Sequence, residues 1–406
     1  MAPEFPPHTS VLRMTHPLPS PTWGSARLIA GVPSQNNALF HKIQFLAGDP
    51  AAWVELGSSE GTRHTTLIIR DIEIGRAARD AQADEVVCPA DLVPTARISG
   101  ERDVATAQAV AELLLRNGIH QVTVDRTLPF LVAVELEARG IRPVLDPDLG
   151  VRERRAKSEH EVECLRQAQA VTERAMVLAC RMVATAKADH QGQLHWEGAP
   201  LTSERVRVAI NQFLLQEGFE PCNSIVAGGP QGGDCHALGS GTLWTEQPVI
   251  IDIFPRNAQT RFFGDCTRTV VNGCIPDPIA RMHRAVCHAK RAAERTLRAG
   301  VGGGSVHAAT IEVIHGHGFE SGFLRDGEDT ARCAMVHGTG HGVGLDVHEA
   351  PLLDQGGPML VEGDAVTIEP GLYQAGVGGV RVEDLYIVQA SGSINLNQLP
   401  EQLGWS

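Results

Sequence analysis

Four acidic residues lie inside apolar, strand-like runs of this chain, and they constrain its fold more than any other feature. Asp252 sits in PVIIDIF, Asp265 in FFGDCTRT, Glu369 in AVTIEPGLY and Glu383 in GGVRVEDLYIV. A buried carboxylate is costly unless it is ion-paired or bound to a metal. If Pro248–Phe254 and Arg261–Val271 are two strands turning near Arg256–Thr260, the two aspartates sit side by side. Pro370 ends the Glu369 strand. Arg381 and Glu383 are two apart and share one strand face. Each acid alone is better explained as an ion-paired core residue; the group calls for a common cause.

A second cluster lies between these runs. His337, His341 and His348 fall within HGTGHGVGLDVH, a stretch that also holds four glycines. Glycine lets backbone and ligand approach closely, and neutral imidazole is a common metal ligand and acid–base group. Four carboxylates and His341 cannot crowd one site without cations to offset their repulsion. Mostly oxygen donors with one imidazole favour two divalent ions of hard or borderline character over a thiolate zinc site. Two such ions polarise a carbonyl and activate water, so the chemistry expected is hydrolysis.

The rest of the sequence narrows the class. The 406 residues are 43% hydrophobic and 20% charged, enough to bury a core in two or three domains. A formal charge of −13 and 4% aromatics argue against a nucleic-acid partner. No apolar run is long enough to span a bilayer, so no membrane role is expected. The Pro-rich start, residues 1–24, lacks the apolar stretch of a signal peptide. Nine scattered cysteines without a C-x-x-C pair suit reduced thiols and a cytoplasmic protein.

Residues 25–148 alternate between strand and helix, as in an α/β domain. His64–Arg70 and Gln121–Asp125 read as strands. Asp103–Asn117 and Phe130–Arg139 read as helices stopping at Gly118 and Gly140. PVLDPDLG marks the boundary. Residues 149–406 then form a second domain. Ser158 and Glu161 make a capping box that opens a helix to about Ala186. Asp189–Pro200 reads as a polar loop and Ser203–Glu217 as a helix. Strands follow, then helices over Pro278–Arg298 and Ser305–His315, then strands again. Helix–helix–strands occurring twice suggests a duplicated architecture.

In this order, Asp252, Asp265-x-Thr267-Arg268-Thr269, His341 in GHGVGLDVHE, Glu369 in TIEPGLY and Glu383 in RVED resemble the pita-bread metallopeptidases. That family includes methionine aminopeptidase, proline aminopeptidase, prolidase and creatinase. The resemblance implies an α+β pita-bread catalytic domain behind a creatinase-type N-terminal α/β domain. It implies that Asp252 holds one metal, that Asp265 and Glu383 bridge two, and that His341 and Glu369 complete the second. Manganese is expected first, with cobalt or zinc as alternatives. His236, sixteen residues before Asp252, and His348, seven after His341, match the histidines that contact substrate. Glu369 is also matched to proton exchange with the attacking water.

His337 and Arg381 match the proline-peptidase branch, where they would position the far side of the substrate. The activity implied is cleavage between an N-terminal residue and proline in small peptides, by a dipeptidase or an aminopeptidase, in an enzyme whose two-domain plan suggests a homodimer. A creatinase-like metal-free hydrolase requires loss of the ligand set, and a non-catalytic binding module is the other alternative. One departure stands out: Asp252 and Asp265 are thirteen apart, two more than the family's usual step. An even addition keeps both on one face of a longer hairpin.

Overall fold

The structure is a computed structural model and describes residues 23–323 and 332–405. Nearly all of the expected Pro-rich tail lies outside the described residues. Trp23 and Gly24 already belong to the first strand, Trp23–Gly31. The chain divides after Gly150 into two compact units.

The first unit is a six-stranded mixed sheet. Its order is Glu85–Val87, Arg63–Ile68, Ala51–Ser58, Trp23–Gly31, Gln121–Val124, Arg142–Leu145. Strand alternation gives the sheet two apolar faces. Leu28, Val54 and Ile68 pack with Val110, Leu114 and Leu136 from helices Arg102–Arg116 and Phe130–Ala138. Their neighbours Ile29, Trp53 and Leu67 pack with Leu39, Ile43 and Ala77 from helices Asn37–Ile43 and Ile74–Asp80. Helices on both faces explain why the strands are apolar almost throughout. Gly118 takes φ +70°, and the Ile119 N–H returns to the Leu114 carbonyl at 2.9 Å, closing the helix where expected.

The second unit repeats one plan. Helix Glu159–Ala184 starts at the Ser158 capping box, and helix Ser203–Gln216 follows it. Their Met176, Val183, Ile210 and Leu214 pack against Val249, Ile251 and Val270 of a three-stranded sheet. That sheet runs Ile225–Gly228, Pro248–Ile253, Cys266–Val271. Helices Asp277–Thr296 and Gly303–Gly316 play the same part for the second set of strands. Met282, Val286 and Ile314 meet Leu372, Val380 and Val382, and Ala293 and Val306 meet Val366, Ile368 and Tyr386.

Two local expectations change. Asp189–Pro200 is not a plain loop. With Lys187–Ala188 it forms a small sheet with Leu194–Trp196 and Ala199–Pro200. Leu194 is fully buried there, and its N–H donates to the Leu243 carbonyl at 2.9 Å. One anchored leucine was too little apolar pattern to announce a strand. The strand expected from Arg261 begins instead at Cys266. Arg261 has φ +68° and belongs to the turn. The Asn257 side chain accepts the N–H groups of Gln259 and Thr260 there, an Asx arrangement that competes with pairing. Among the described residues, no helix is long and apolar enough to cross a membrane.

Candidate active site

The site is built on the hairpin that carries Asp252. Asp252 pairs with Thr267 and Ile253 with Cys266, and the bridge between Arg256 and Phe263 continues the same register. Asp265, two residues before Thr267, therefore lies on the Asp252 face as its diagonal neighbour. The extra length is absorbed in the turn beyond, where the Asn257 N–H reaches the Phe262 carbonyl at 3.0 Å.

His341 is carried in by the short strand Gly340–Gly342. A Cβ at Gly340 would stand 2.0 Å from the Thr367 carbonyl oxygen, and one at Gly342 would stand 2.5 Å from that of Ala350. Only glycine on both sides lets this strand seat so closely. His341 Nδ1 lies 3.1 Å from the Gly342 carbonyl. A carbonyl only accepts, so Nδ1 carries the hydrogen and the Nε2 lone pair is turned to the acids. Nε2 lies 3.7 Å from Asp265 Oδ2 and 3.5 Å from Glu369 Oε1.

Glu369 follows strand Ala365–Ile368 and is anchored by its N–H to the Thr339 carbonyl at 2.8 Å. Glu383 is tied to the hairpin twice. Its N–H reaches the Thr267 carbonyl at 3.1 Å, and its Oε2 accepts the Thr267 hydroxyl at 2.7 Å. Ligand atoms of Asp265, His341 and Glu383 all lie within 4.8 Å of one another. Asp252 Oδ2 accepts from Arg381 at 2.8 Å, while its buried Oδ1 has no hydrogen-bond partner. These five residues line one pocket of about 420 Å³ together with His236, His337, His348 and Arg381. His236 and His348 are exposed, and the His348 ring stands edge-on to His341 at 4.2 Å between centroids.

The electrostatics show what this cluster lacks. Burial, then the charges of Glu383, Asp252 and Glu369, hold the Asp265 carboxyl well above the usual range. Burial, then Glu369 and Asp252, do the same to Glu383. Glu369 is pushed up to about 8, by burial foremost. His341 is pushed down to about 4 by burial and by His348, so its imidazole is neutral. Repelling carboxylates, a neutral Nε2 and an orphaned buried Oδ1 form a donor set that fits divalent cations.

Arg381 is bonded to the site's own groups. It is buried, and its guanidinium donates to Asp252, to Tyr373 Oη at 2.8 Å and to the Cys235 carbonyl at 3.3 Å. The Tyr373 hydroxyl donates in turn to His337 Nε2 at 2.8 Å, since His337 Nδ1 serves the Gly338 carbonyl at 2.8 Å. Burial, then the Arg381 charge, pushes His337 down to about 3, so it too is neutral. Arg381 thus holds the site's own groups while also lining the pocket.

Sequence reasoning missed Tyr373 and the ion cluster behind Glu383. Arg268 is fully buried and donates to Asp384 at 2.8 Å, to the Glu383 carbonyl at 2.6 Å and to the Pro400 carbonyl at 2.9 Å. Lys290 bonds Asp384 and reaches Glu401 at 2.8 Å. A signal existed: the chain holds two tyrosines, and both serve these networks. Tyr373 joins Arg381 to His337, and the Tyr386 ring lies 5.6 Å under Lys290 Nζ.

Comparison with known proteins agrees with this arrangement. The profile of metallopeptidase family M24 matches residues 163–390. A probable dipeptidase PepE of Mycobacterium tuberculosis is 30% identical over 283 residues, covering 69% of this chain and 68% of the relative. An Xaa-Pro dipeptidase of Pyrococcus horikoshii is 25% identical over 292 residues, 70% of this chain and 75% of the relative. Among solved structures, an Xaa-Pro dipeptidase from Bacillus anthracis superposes with a TM-score of 0.75 at 22% identity, over 94% of each chain. A dipeptidase PepE from Mycobacterium ulcerans superposes with a TM-score of 0.72 at 25% identity, over 94% and 92%. The expected architecture, an α/β unit followed by a pita-bread unit, is the one found, and the family implies a divalent metal. The chain belongs to metallopeptidase family M24.

Proposed function

We propose that the protein is a dimetal exopeptidase that cleaves the bond between an N-terminal residue and proline, as an Xaa-Pro dipeptidase or aminopeptidase. One observation carries the reading: four carboxylates and one neutral imidazole converge on a single pocket, and the one guanidinium among them, Arg381, leaves most of their repulsion unbalanced. Proline as the second residue is supported by the relatives named Xaa-Pro dipeptidase.

Asp252, with its unpartnered Oδ1, would hold one ion, Asp265 and Glu383 both ions, and His341 with Glu369 the second. Oxygen-rich ligation with one imidazole suits manganese, with cobalt or zinc as alternatives. When bound, such ions supply Lewis acidity toward a carbonyl and lower the pKa of water.

The protein's own groups do the rest. The Glu369 carboxylate takes a proton from the attacking water and delivers it to the proline nitrogen. That nitrogen belongs to a tertiary amide and must be protonated before it can leave. His236 and His348, exposed at the pocket wall, donate hydrogen bonds to the carbonyl oxygen as it gains charge. Arg381 positions Asp252 and orients the Tyr373 hydroxyl. Tyr373 in turn locks His337 as a neutral wall for the proline ring. The intact donor set weighs against a metal-free hydrolase or a binding module. All nine cysteines are free thiols, which suits a reducing compartment and a cytoplasmic place for the enzyme.

The test is hydrolysis of Ala-Pro-Ala and Ala-Ala-Ala by manganese-loaded and chelated protein. With Ala-Pro and Ala-Ala assayed alongside, the proposal expects release of alanine from Ala-Pro or Ala-Pro-Ala but from neither proline-free peptide, and only with metal. Equal rates with and without proline would remove the proline assignment.

A further inference from the structure

A second cavity, of about 750 Å³, shares Cys235, His236, His337, Gly338 and Asp354 with the active-site pocket. An exopeptidase needs one closed end for the terminal residue and one open end for the remaining chain. The two cavities adjoin at this shared wall, and Asp354 stands on it. Asp354 Oδ1 accepts the Gln355 N–H at 2.7 Å and lies 3.6 Å from His307 Nε2. Burial lowers the pKa of His307, whose Nδ1 pairs with the Thr339 hydroxyl at 3.0 Å, so His307 does not cancel the acid's charge. Oδ2 lies over Gly338, 3.3 Å from where a Cβ of that residue would stand. The glycine next to His337 therefore leaves room for a carboxylate at the pocket wall, and half of the Asp354 side chain is exposed.

The cations nearby are already engaged. Among the described residues lining the two cavities, Arg381 serves Asp252 and Tyr373, and Arg332 holds Glu320 at 3.3 Å and the carbonyls of Ser321 and Gly322. A dipeptide ending in proline would bring its carboxylate toward this wall. A longer peptide would carry its third residue past it.

Resting on the Xaa-Pro reading above, we propose that Asp354 sets specificity beyond proline. It favours a cationic third residue, disfavours an acidic one, and works against a free proline carboxylate, so longer peptides are better substrates than dipeptides. A half-exposed carboxylate discriminates modestly for each charge, and exchanging Lys for Glu changes the sign of the interaction. The combined effect is about tenfold, and salt weakens it.

The experiment compares kcat/KM for Ala-Pro-Lys, Ala-Pro-Ala, Ala-Pro-Glu and Ala-Pro, with manganese-loaded wild type and Asp354→Asn, at low and high salt. The expected wild-type result is a Lys-to-Glu ratio of about ten, carried in KM and shrinking with salt, with Ala-Pro among the poorest. In Asp354→Asn the ratio should fall below about two, and Ala-Pro should gain relative to Ala-Pro-Ala. A wild-type ratio near one, or a ratio unchanged by the substitution, overturns the proposal while cleavage of Ala-Pro-Ala leaves the Xaa-Pro reading standing. Loss by the same factor on all four peptides places the carboxylate at the substrate's amino terminus and also overturns it. If wild type cleaves none of the peptides, both readings fall. A wild-type ratio near one overturns the proposal even if the variant does not fold, and Asp234→Asn, at the other acid lining the second cavity, should leave the ratio in place; its loss there would overturn the proposal as well.

Discussion

Glu383 and Asp384 are adjacent in the chain, equally buried, and opposite in charge environment. Asp384 faces Arg268 and Lys290; although burial is the largest influence and opposes it, these cations hold its carboxyl below the usual range. Glu383 faces Glu369 and Asp252, and its carboxyl is driven well above that range. Strand alternation sends the two side chains to opposite faces. One acid meets cations supplied by the fold, and the other meets more acids. A carboxylate cluster with its own cations is a structural tie. One whose four acids share only Arg381 is destabilising until further cations arrive from solution, and that difference marks the second cluster as the functional one.

Breaking each cluster should therefore have opposite consequences. Asp265→Asn removes one repelling carboxylate and one donor. Losing several kcal/mol of charge stabilisation in the transition state predicts an activity fall of roughly a thousandfold. The same substitution should raise the melting temperature of the metal-free protein, measured by calorimetry. A lowered melting temperature would mean that the acids are not under mutual repulsion. Lys290→Met removes a cation from the other cluster and leaves Asp384 with Arg268 as its one cation beside the Asn395 amide. It should cost about 3 kcal/mol of stability, read from denaturant unfolding. No loss would show that the paired cluster is not the tie described here.

The pH dependence sharpens the contrast. Glu369 titrates near 8 in the folded metal-free protein, against about 4.5 when unfolded. Its stabilising contribution is complete below about 4.5 and is lost as pH rises toward 8. Asp265 and Glu383 are shifted in the same direction. His341 and His337 are lowered to about 4 and about 3, so they cost stability only as pH falls below their unfolded value of about 6.5. Above that value the carboxylates act alone. From pH 6.5 toward 8, metal-free protein should lose stability at up to about 1.4 kcal/mol per pH unit through Glu369, with Asp265 and Glu383 adding in the same direction, and added metal should remove the slope. A flat metal-free profile in that window would contradict the account. The smallest effect concerns support: Thr267→Val takes away the hydroxyl that orients Glu383. It should weaken metal binding by about tenfold, measured by competition with a chelator.

Much of this was legible in the sequence because it is written in local pattern. The order of the five donors, the Gly-flanked His341 and the odd separation of Asp252 and Asp265 are short-range features, and a strand's two-residue period turns them into a shared face. The illegible parts depend on distant partners. Nothing near Arg381 in the chain shows that it also binds Asp252 and Tyr373. Nor does the chain near Asp384 show that Arg268 and Lys290, about a hundred residues upstream, face it. Asp354 gave no signal at all. Its placement depends on how Gly338 passes beside it.

The most direct measurement is a manganese titration of chelated protein, following both bound ion and hydrolysis of Ala-Pro and Ala-Pro-Ala. The account predicts no hydrolysis without metal, binding that saturates at two ions per chain, and activity that rises with occupancy. Full hydrolysis by the metal-free protein, or binding that stops short of two ions while activity is complete, would contradict it.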